Sequence, residues 1–372
     1  MRFLIISHAT HKQETSQLFS YAPYVREMNL WLKYVDEVEV IAPKTIGEPS
    51  AIEMTYKHKN IEYNQVSAIQ FTSVLHLLKS LLKLPLIVFK LFKSFRKADH
   101  IHLRCPGNIG LLGCFVQVFF PNKTKTAKYA GNWDPKSKQP LSYRIQKWML
   151  SNTVLTKNMH VLVYGDWKEQ SKNIKPFFTA TYRTSEIEKV SNRDYNEKLK
   201  FVFIGSLVIG KRPLLAIQII EKLKQKGYNV SLELFGDGVL KEELMEYVSE
   251  KNIENTITIH GNKTKEVVKA ALKTAHFSVL PSKSEGWPKA IAEAMFFGCI
   301  PVVTKISCVP YMLDYGKRGV LIEPNLEAAT QELIKELENK THLQSKSKAA
   351  LQWSQAYTLD LFESEIAKLL QN

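Results

Sequence analysis

Residues 200–213 read KFVFIGSLVIGKRP, and they decide the fold because they contain a strand, a loop and the start of a helix in succession. The β-rich run that ends at Ile204 is typical of a strand buried in a parallel sheet. Pro213 suits the first position of a helix, apolar residues recur after it at helical spacing, and Gly227 is placed for the C-terminal cap. This unit predicts a parallel α/β sheet.

The same alternation of strand and helix continues downstream to residue 324. Further β-rich runs begin at Val230, Thr256, His276, Cys299 and Gly319. Helical patterns separate most of these runs, as in a parallel sheet that is covered by helices on both faces. We therefore predict a Rossmann-like domain over residues 199–350.

The first half of the chain repeats this theme in a weaker form and predicts a second Rossmann-like domain over residues 1–183. Its β-rich runs begin at Arg2, Glu37, His100, Lys125 and His160. Residues 184–198 are polar and lack an apolar period, so we interpret them as a linker. A final helix in 351–372, with Asp360 and Glu363 as a capping box, is expected to pack back on the first domain.

Two such domains are expected to face each other across a cleft. Ligands of open α/β sheets bind at the carboxyl ends of the strands, so the chemistry is expected in the loops between strands and helices.

The charge balance of the chain is strongly basic. Lysine and arginine number 51 against 36 aspartates and glutamates, which gives a formal net charge of +15. This charge favours anionic partners such as nucleic acid, anionic lipid or phosphorylated substrates. A surface for single-stranded nucleic acid would interleave Trp and Tyr with the lysine clusters, and the sequence lacks this pattern, so we predict no nucleic-acid partner.

The cysteines and the first residues point to a reducing compartment. No CxxC pair occurs among Cys105, Cys114, Cys299 and Cys308, so the sequence predicts neither a metal site nor a disulfide framework. The opening MRFLIISHATH has too short an apolar run for a signal-peptide core. We expect a cytoplasmic protein.

One stretch allows two interpretations, residues 74–97, VLHLLKSLLKLPLIVFKLFKSFRK. Lysines interrupt its apolar run too often for a membrane-spanning helix. The stretch suits a basic amphipathic helix lying on an anionic membrane surface. It equally suits an ordinary surface helix that packs on a sheet and breaks near Pro85.

The loop GSLVIGKRP combines features of an anion site. Gly205 and Gly210 allow close backbone approach, Lys211 and Arg212 supply two cations, and Pro213 starts a helix whose dipole favours a negative ligand. The alternative is a solvated Lys-Arg pair, which we disfavour because the dipole opposes cations there unless an anion is bound.

Two other loops contain candidate residues. In LFGDG, Gly236 and Asp237 end a strand, and by itself this motif is more often a simple turn than a site. Residues 284–298, SEGWPKAIAEAMFFG, predict a helix over 288–297, with Glu285 in the preceding loop and Glu293 among apolar neighbours. A carboxylate in such surroundings needs hydrogen-bond donors, either ligand hydroxyls or Lys289 one turn earlier.

The spacing of Glu285 and Glu293 resembles the E-x7-E element of the retaining glycosyltransferases of family 4, which have the GT-B fold. The family pattern of Pro-Ser-x-x-Glu-Gly-aromatic-Pro, an alanine-rich helix, a glycine and a Pro-Val strand is followed closely from Pro281 to Val303. The loop before Pro213 also looks like the family's diphosphate loop. The resemblance is close over residues 205–324 and only topological before them.

The resemblance implies transfer of a sugar, as by a hexosyltransferase, from a nucleotide diphosphate sugar to a polysaccharide or lipid-linked glycan, with retained configuration and without a metal or other cofactor. It implies catalytic roles for Lys211, at the diphosphate, and Glu285, at the sugar hydroxyls, while Glu293 would bind the ribose. The donor site it implies comprises Gly205, Ser206, Lys211, Arg212, Gly236, Asp237, Gly286, Trp287, Pro288 and Glu293. The enzyme would work at the inner face of a membrane.

The sequence departs from the family pattern in three places. Ser206 stands where many members have an arginine, the loop SHATHKQETSQ lacks a glycine pair, and the loop YAGNWD has no histidine. Asn132 and Asp134 in that last loop are candidate acceptor residues. The alternatives are another GT-B enzyme, such as an epimerase or a phosphorylase, and a catalytically silent subunit that binds a sugar nucleotide.

Overall fold

The computed structural model describes residues 1–15, 17–50, 52–69 and 74–371, with the side chains of 74–81 excepted. The chain divides into two compact units. Unit 1 comprises Met1–Phe178 and Phe362–Asn372, and unit 2 comprises Thr179–Leu361. Residues 184–198, which the sequence predicts as a linker, fall within unit 2, where the Arg193 guanidinium donates to the carbonyl oxygens of Leu272 and Phe297.

Unit 1 contains a parallel sheet whose described strands follow the order β10-β9-β8-β7-β1-β4-β6. These strands are Arg2–Ile6 (β1), Glu37–Pro43 (β4), Ile61–Val66 (β6), His100–Cys105 (β7), Thr124–Tyr129 (β8), Met159–Tyr164 (β9) and Ile174–Phe177 (β10). A small antiparallel sheet contains Lys12–Glu14 (β2), Gln17–Tyr21 (β3) and Glu53–Thr55 (β5). The described helices are Ala22–Trp31 (α1), Val74–Lys97 (α2), Asn108–Val116 (α3) and Leu141–Ser151 (α4).

Unit 2 contains a second parallel sheet, with the order β13-β12-β11-β14-β15-β16. Its strands are Leu199–Ile204 (β11), Val230–Phe235 (β12), Ile257–Gly261 (β13), Phe277–Leu280 (β14), Ile300–Thr304 (β15) and Val320–Ile322 (β16). Its helices are Pro213–Gln225 (α5), Lys241–Glu250 (α6), Lys265–Thr274 (α7), Lys289–Phe296 (α8), Val309–Met312 (α9), Leu326–Leu337 (α10), Lys340–Ala356 (α11) and the start of Leu359–Gln371 (α12).

The predicted α/β architecture is confirmed, and so are both ends of α5. Pro213 is its first residue, and Gly227 follows it with a φ of +89°, the left-handed conformation that glycine adopts most easily. The two sheets are parallel with mostly buried strands, because helices cover them.

Two predicted helix ends are wrong. Helix α8 begins at Lys289, so Pro288 is its N-cap residue and not its first helical residue. Asp360 and Glu363 do not form a capping box: Asp360 accepts a hydrogen bond from the Thr184 amide at 2.7 Å, and Glu363 pairs with Lys33. The Thr358 hydroxyl instead accepts from the Leu361 amide at 3.3 Å, because it lies just before the helix.

Helix α2 does not break at Pro85, contrary to one interpretation of the sequence. The helix runs from Val74 to Lys97 with Pro85 inside it. The side chains of Ile87, Leu91 and Phe95 on one face are buried in the core of unit 1. That packing holds the helix together although the proline removes one backbone hydrogen bond.

Candidate active site

The order of the strands in unit 2 creates a switch point between β11 and β14. From β11 the chain moves outward to β12 and β13, and it then returns to place β14 on the other side of β11. Phe201 of β11 pairs directly with Phe277 of β14. Loops that leave such neighbouring strands in opposite directions open a crevice, which is where ligands of open α/β sheets bind.

Lys211 and Glu285 meet at this switch point. Lys211 follows β11, Glu285 follows β14, and the Lys211 Nζ lies 2.6 Å from the Glu285 Oε1. The Lys283 amide donates to the Gly210 carbonyl at 2.8 Å, so the backbones of the two loops are also joined. The Glu285 side chain is 8% exposed and the Lys211 side chain 30%, so the carboxylate is almost buried while the lysine side chain is partly exposed.

The loops after β11 and β12 interlock through glycines. The Gly205 amide donates to the Phe235 carbonyl at 3.0 Å, and the Leu207 amide donates to the Asp237 carbonyl at 2.9 Å. Gly236 has a φ of +142°, and a Cβ added to it would overlap the Gly205 carbonyl oxygen. The sequence LFGDG is therefore a close backbone contact between two loops and more than an isolated turn.

A cavity of about 250 Å³ opens beside these glycines. It is lined by Ile204, Gly205, Ser206, Phe235, Gly236, Asp237, Asn262, Lys263 and Val268. The cavity thus brings together the predicted donor residues Gly205, Ser206, Gly236 and Asp237, whereas Lys211 and Arg212 are not among its lining residues. Asn262 and Lys263 were missed by the sequence reasoning, although they follow the β-rich run TITIHG and so had to lie at the same edge of the sheet.

The Asp237 carboxylate is held ionised beside this cavity. It accepts a hydrogen bond from the Gly238 amide at 2.8 Å and one from the Lys241 ammonium at 3.2 Å. The amide bond, with Lys241 adding to it, lowers the pKa of Asp237 below its ordinary value.

The loop that contains Glu285 is fixed by a cysteine that the sequence reasoning left without a function. The Cys308 thiol donates to the Gly286 carbonyl, with 2.9 Å between Sγ and O. Burial raises the pKa of Cys308 to about 12, so the thiol stays protonated and remains a donor at neutral pH. The Trp287 ring is also buried, and it stacks on Trp353 at a centroid distance of 5.9 Å. Trp287 therefore anchors the loop through its side chain.

Glu293 has a protein hydroxyl as a partner. The Thr181 hydroxyl donates to its Oε1 at 2.7 Å. Glu293 and Trp287 line a narrow cavity together with Tyr182 and Tyr357. Burial raises the pKa of Tyr182, and the Glu293 charge raises it further, which keeps the phenol neutral. Thr181 therefore supplies one of the hydrogen-bond donors that this carboxylate was expected to need.

Arg212 and Pro288 precede α5 and α8, two of the helices that begin at this edge of the sheet. Arg212 is the N-cap residue of α5, in the left-handed conformation with a φ of +51°. Pro288 is the N-cap residue of α8. Both loops therefore direct helix N-termini toward the region of Lys211 and Glu285, where the dipoles favour a negative ligand.

The candidate acceptor residues of unit 1 form local turns. The Asn132 Oδ1 accepts from the Asp134 amide at 2.9 Å, and the Asp134 Oδ1 accepts from the Lys136 amide at 2.8 Å. Trp133 between them is buried against Tyr129. The turns fix the shape of this loop, and contact of either side chain with an acceptor stays a prediction.

Comparison with known proteins agrees with this geometry. Residues 184–353 match the model of the family described as glycosyl transferases group 1. Protein CapJ of Staphylococcus aureus is 28% identical over 219 residues, which are 54% of this chain and 54% of CapJ. The capsular polysaccharide biosynthesis glycosyltransferase CapH of the same organism is 26% identical over 129 residues, or 34% of this chain and 36% of CapH. The chain spans about half the length of the first of these relatives.

A solved structure extends the likeness over the whole fold. The apo form of the lipopolysaccharide outer core galactosyltransferase WaaB superimposes with a TM-score of 0.68 at 14% identity, covering 100% of this chain and 99% of WaaB. At that identity the likeness concerns the fold. The chain therefore has the GT-B fold, and its residues 184–353 match the family of glycosyl transferases group 1.

Proposed function

We propose that this protein is a retaining glycosyltransferase of family 4, which transfers a sugar from a nucleotide diphosphate sugar to a polysaccharide or lipid-linked glycan. The observation that carries the proposal is the Lys211–Glu285 pair at the switch point of the second sheet, 2.6 Å apart, with Lys211 in the same β11–α5 segment as Gly205, which contacts Gly236. A partly exposed cation next to a nearly buried carboxylate can hold a diphosphate and a sugar side by side.

The diphosphate is proposed to bind at Lys211, with Arg212 adding a second positive charge. As the bond between the anomeric carbon and the diphosphate oxygen breaks, negative charge accumulates on the leaving group, and these cations stabilise it without a required metal ion. The acceptor oxygen then bonds to the anomeric carbon on the face that the diphosphate leaves, and the acceptor proton passes to the diphosphate. Configuration is thereby retained.

Glu285 is proposed to accept hydrogen bonds from hydroxyl groups of the donor sugar. In the structure one of its oxygens is paired with Lys211. A bound diphosphate competes for that ammonium group, which has three donors, so the pair can loosen and Glu285 gains capacity for sugar hydroxyls. Glu293 is proposed to bind the ribose, and the backbone amides of Gly286 and Trp287, fixed through Cys308 and Trp353, are proposed to face the sugar and phosphate.

The nucleobase is proposed to occupy the cavity of about 250 Å³ that Gly205, Ser206, Gly236 and Asp237 line. The acceptor is proposed to reach Asn132 and Asp134 of unit 1. Its class, a polysaccharide or lipid-linked glycan, is supported by CapH, whose name places that protein in capsular polysaccharide biosynthesis.

A product assay tests this proposal. The protein is incubated with uridine, guanosine and adenosine diphosphate sugars and a lipid-linked oligosaccharide, with and without EDTA. We expect a nucleoside diphosphate and a new glycoside in equal amounts, with the anomeric proton coupling of the donor preserved in the NMR spectrum and no loss of rate in EDTA.

The other candidates give different products. An epimerase returns an altered nucleotide sugar, a phosphorylase consumes phosphate and releases a sugar 1-phosphate, and a silent subunit shows a ligand-induced rise in melting temperature without any product. An inverted anomeric centre would reject the retaining mechanism.

The proposed enzyme is peripheral to the inner face of an anionic membrane, which it contacts through α2. Leu82, Leu86 and Phe89 lie one helical turn apart on one face and are 84%, 62% and 67% exposed. Exposed cations continue along this face at Lys93, Arg96 and Lys97. Apolar side chains flanked by cations, with no acidic residue from 74 to 97, complement an anionic lipid surface.

The apolar part of this surface extends to a neighbouring segment. Phe119, also exposed, contacts Phe92 of α2 with 5.3 Å between ring centroids. Within the described ranges, no helix has the length and apolarity required to cross a bilayer.

Removal of the exposed cations at Lys83, Lys93, Arg96 and Lys97 should weaken membrane binding. Each basic residue near an anionic surface contributes roughly 1 kcal/mol, so four glutamine substitutions should reduce partitioning onto vesicles of phosphatidylglycerol and phosphatidylcholine by about 10²-fold or more. Co-sedimentation measures this. Lys90 is left unchanged because its ammonium group donates to the Gln65 carbonyl at 2.7 Å.

The matched control replaces four exposed lysines of unit 2, Lys189, Lys224, Lys226 and Lys348, with glutamine, which removes the same net charge. This control should bind vesicles like the parent. Equal vesicle binding by both variants and the parent would reject α2 as the membrane contact. Undiminished binding to vesicles made only of phosphatidylcholine would reject the electrostatic contribution.

A further inference from the structure

Another cavity lies at the amino edge of the sheet in unit 1, where strands β8, β9 and β10 begin. It has a volume of about 500 Å³ and is lined by Pro121, Asn122, Thr153, Thr156, Lys157, Asn158, Met159, His160, Lys172, Asn173 and Lys175. Ligands of open α/β sheets bind at the carboxyl ends of strands, so this cavity is separate from the proposed sugar-transfer site, which lies at the carboxyl edge of the other sheet.

The cavity has an uncompensated positive charge. Its lining includes Lys157, Lys172 and Lys175 and no carboxylate. None of these three ammonium groups forms an ion pair with another described residue, whereas Lys12, Lys33 and Lys128 of the same unit each do. Three cations around one concave surface produce a field that concentrates anions.

His160 lines the same cavity and has a buried polar atom without a partner. Its Nδ1 is buried and has no hydrogen-bond partner in the described part of the chain. Burial lowers the pKa of His160, and the charge of Lys175 lowers it further, so the ring is neutral at neutral pH. A neutral imidazole has one N–H group, which can donate to an anionic oxygen.

We propose that this cavity is a binding site for a phosphorylated saccharide, with the phosphoryl group held by Lys157, Lys172 and Lys175. The volume exceeds what a phosphate group alone fills. The remaining lining is rich in amide and hydroxyl side chains, Asn122, Thr153 and Asn158 among them, which suit sugar hydroxyls. The inference stands independently of the proposed transfer reaction, because it involves none of the residues assigned to that reaction.

The test uses the full chain labelled with ¹⁵N-histidine, titrated with glucose 1-phosphate, inorganic phosphate and glucose. The His160 signal is assigned by its loss in His160→Gln. We expect glucose 1-phosphate to shift this signal and to raise the pKa of His160, because a bound anion opposes the effect of Lys175. Inorganic phosphate should bind more weakly, and glucose alone should leave the signal in place.

A charge-matched pair of variants completes the test. Replacing Lys157, Lys172 and Lys175 with glutamine should weaken glucose 1-phosphate binding, read at His160, by about tenfold or more. The control with glutamine at Lys224, Lys226 and Lys348 should retain the parent affinity. The proposed site is wrong if glucose 1-phosphate leaves the His160 signal unmoved, or if both variants bind glucose 1-phosphate with equal affinity. The site does not recognise the saccharide if inorganic phosphate binds with the same affinity as glucose 1-phosphate. Sugar transfer by the Lys157, Lys172 and Lys175 variant should proceed at the parent rate.

Discussion

Lys211→Ala should lower kcat by about 10²- to 10³-fold, which corresponds to the roughly 2.7 to 4 kcal/mol typical of one lost transition-state contact. The Lys211 ammonium group lies against Glu285, and the Lys211 side chain is partly exposed. The negative charge that develops on the departing diphosphate is larger in the transition state than in the bound substrate. Loss of the Lys211 ammonium group should therefore reduce kcat more than it raises KM. Steady-state kinetics with a saturating acceptor measure both constants.

The control for this prediction is Lys283→Ala in the facing loop. Lys283 is exposed, and the contact that joins the loops uses its backbone amide, which the substitution retains. Lys283→Ala should therefore keep kcat within a few-fold of the parent.

A second consequence of Lys211→Ala concerns stability. The substitution leaves the nearly buried Glu285 carboxylate without its ion-pair partner, and a buried charge that loses its partner becomes destabilising. Glu285→Ala leaves only a partly exposed ammonium group, which water can solvate. The melting temperature should therefore fall further for Lys211→Ala than for Glu285→Ala. A Lys211→Ala protein with parent-like kcat would show that the pair is structural and would remove the main support for the proposed function.

Gly236→Ala should be the most destabilising single substitution in the site. The added Cβ would overlap the Gly205 carbonyl oxygen, which is backbone and cannot rotate away, and the φ of +142° strains any residue other than glycine. Overpacking costs about 1 to 3 kcal/mol. Backbone strain of this kind adds about 1 to 3 kcal/mol. Denaturant unfolding, monitored by tryptophan fluorescence, should show that the free energy of unfolding falls by the sum of these two costs.

Gly210→Ala is the matched control for this substitution. A Cβ at Gly210 meets no atom within 4 Å, although this glycine belongs to the same loop region. The free energy of unfolding should change by no more than about 0.5 kcal/mol. Nucleotide-induced stabilisation should persist in Gly210→Ala and disappear in Gly236→Ala. Equal stability of the two variants would show that the loops after β11 and β12 can separate without cost.

Strands such as Arg2–Ile6 and Ile300–Thr304 could be predicted from the sequence because they are buried and read as apolar runs. The strands missed were peripheral or short. Ile61–Val66, at the edge of the first sheet, reads IEYNQV and is half-exposed, so it lacks the apolar run that marks a central strand. The antiparallel strands Lys12–Glu14 and Glu53–Thr55 have three residues each, too few for any period to be visible.

The sequence predicted which loops contain the site residues, but it did not predict which of these residues contact each other. The sequence placed Lys211 and Glu285 in loops after strands, since the strand runs, Pro213 and Pro288 are local signals. Their pairing depends on β14 lying directly beside β11, a property of the strand order that no local pattern contains. The bond from Cys308 to Gly286 and the bond from Thr181 to Glu293 likewise join distant segments.

The sequence by itself determined the alternation of strands and helices, the glycine loops at the carboxyl edge and the basic charge of the chain. These properties follow from neighbouring residues, through helical and strand periodicity and the backbone freedom of glycine. Only the tertiary structure decided which face of α2 is exposed, which carboxylate meets Lys211, and that three separate lysines surround one cavity in unit 1. The physical reason is that such arrangements depend on packing between segments far apart in the chain, which sequence periodicity does not specify.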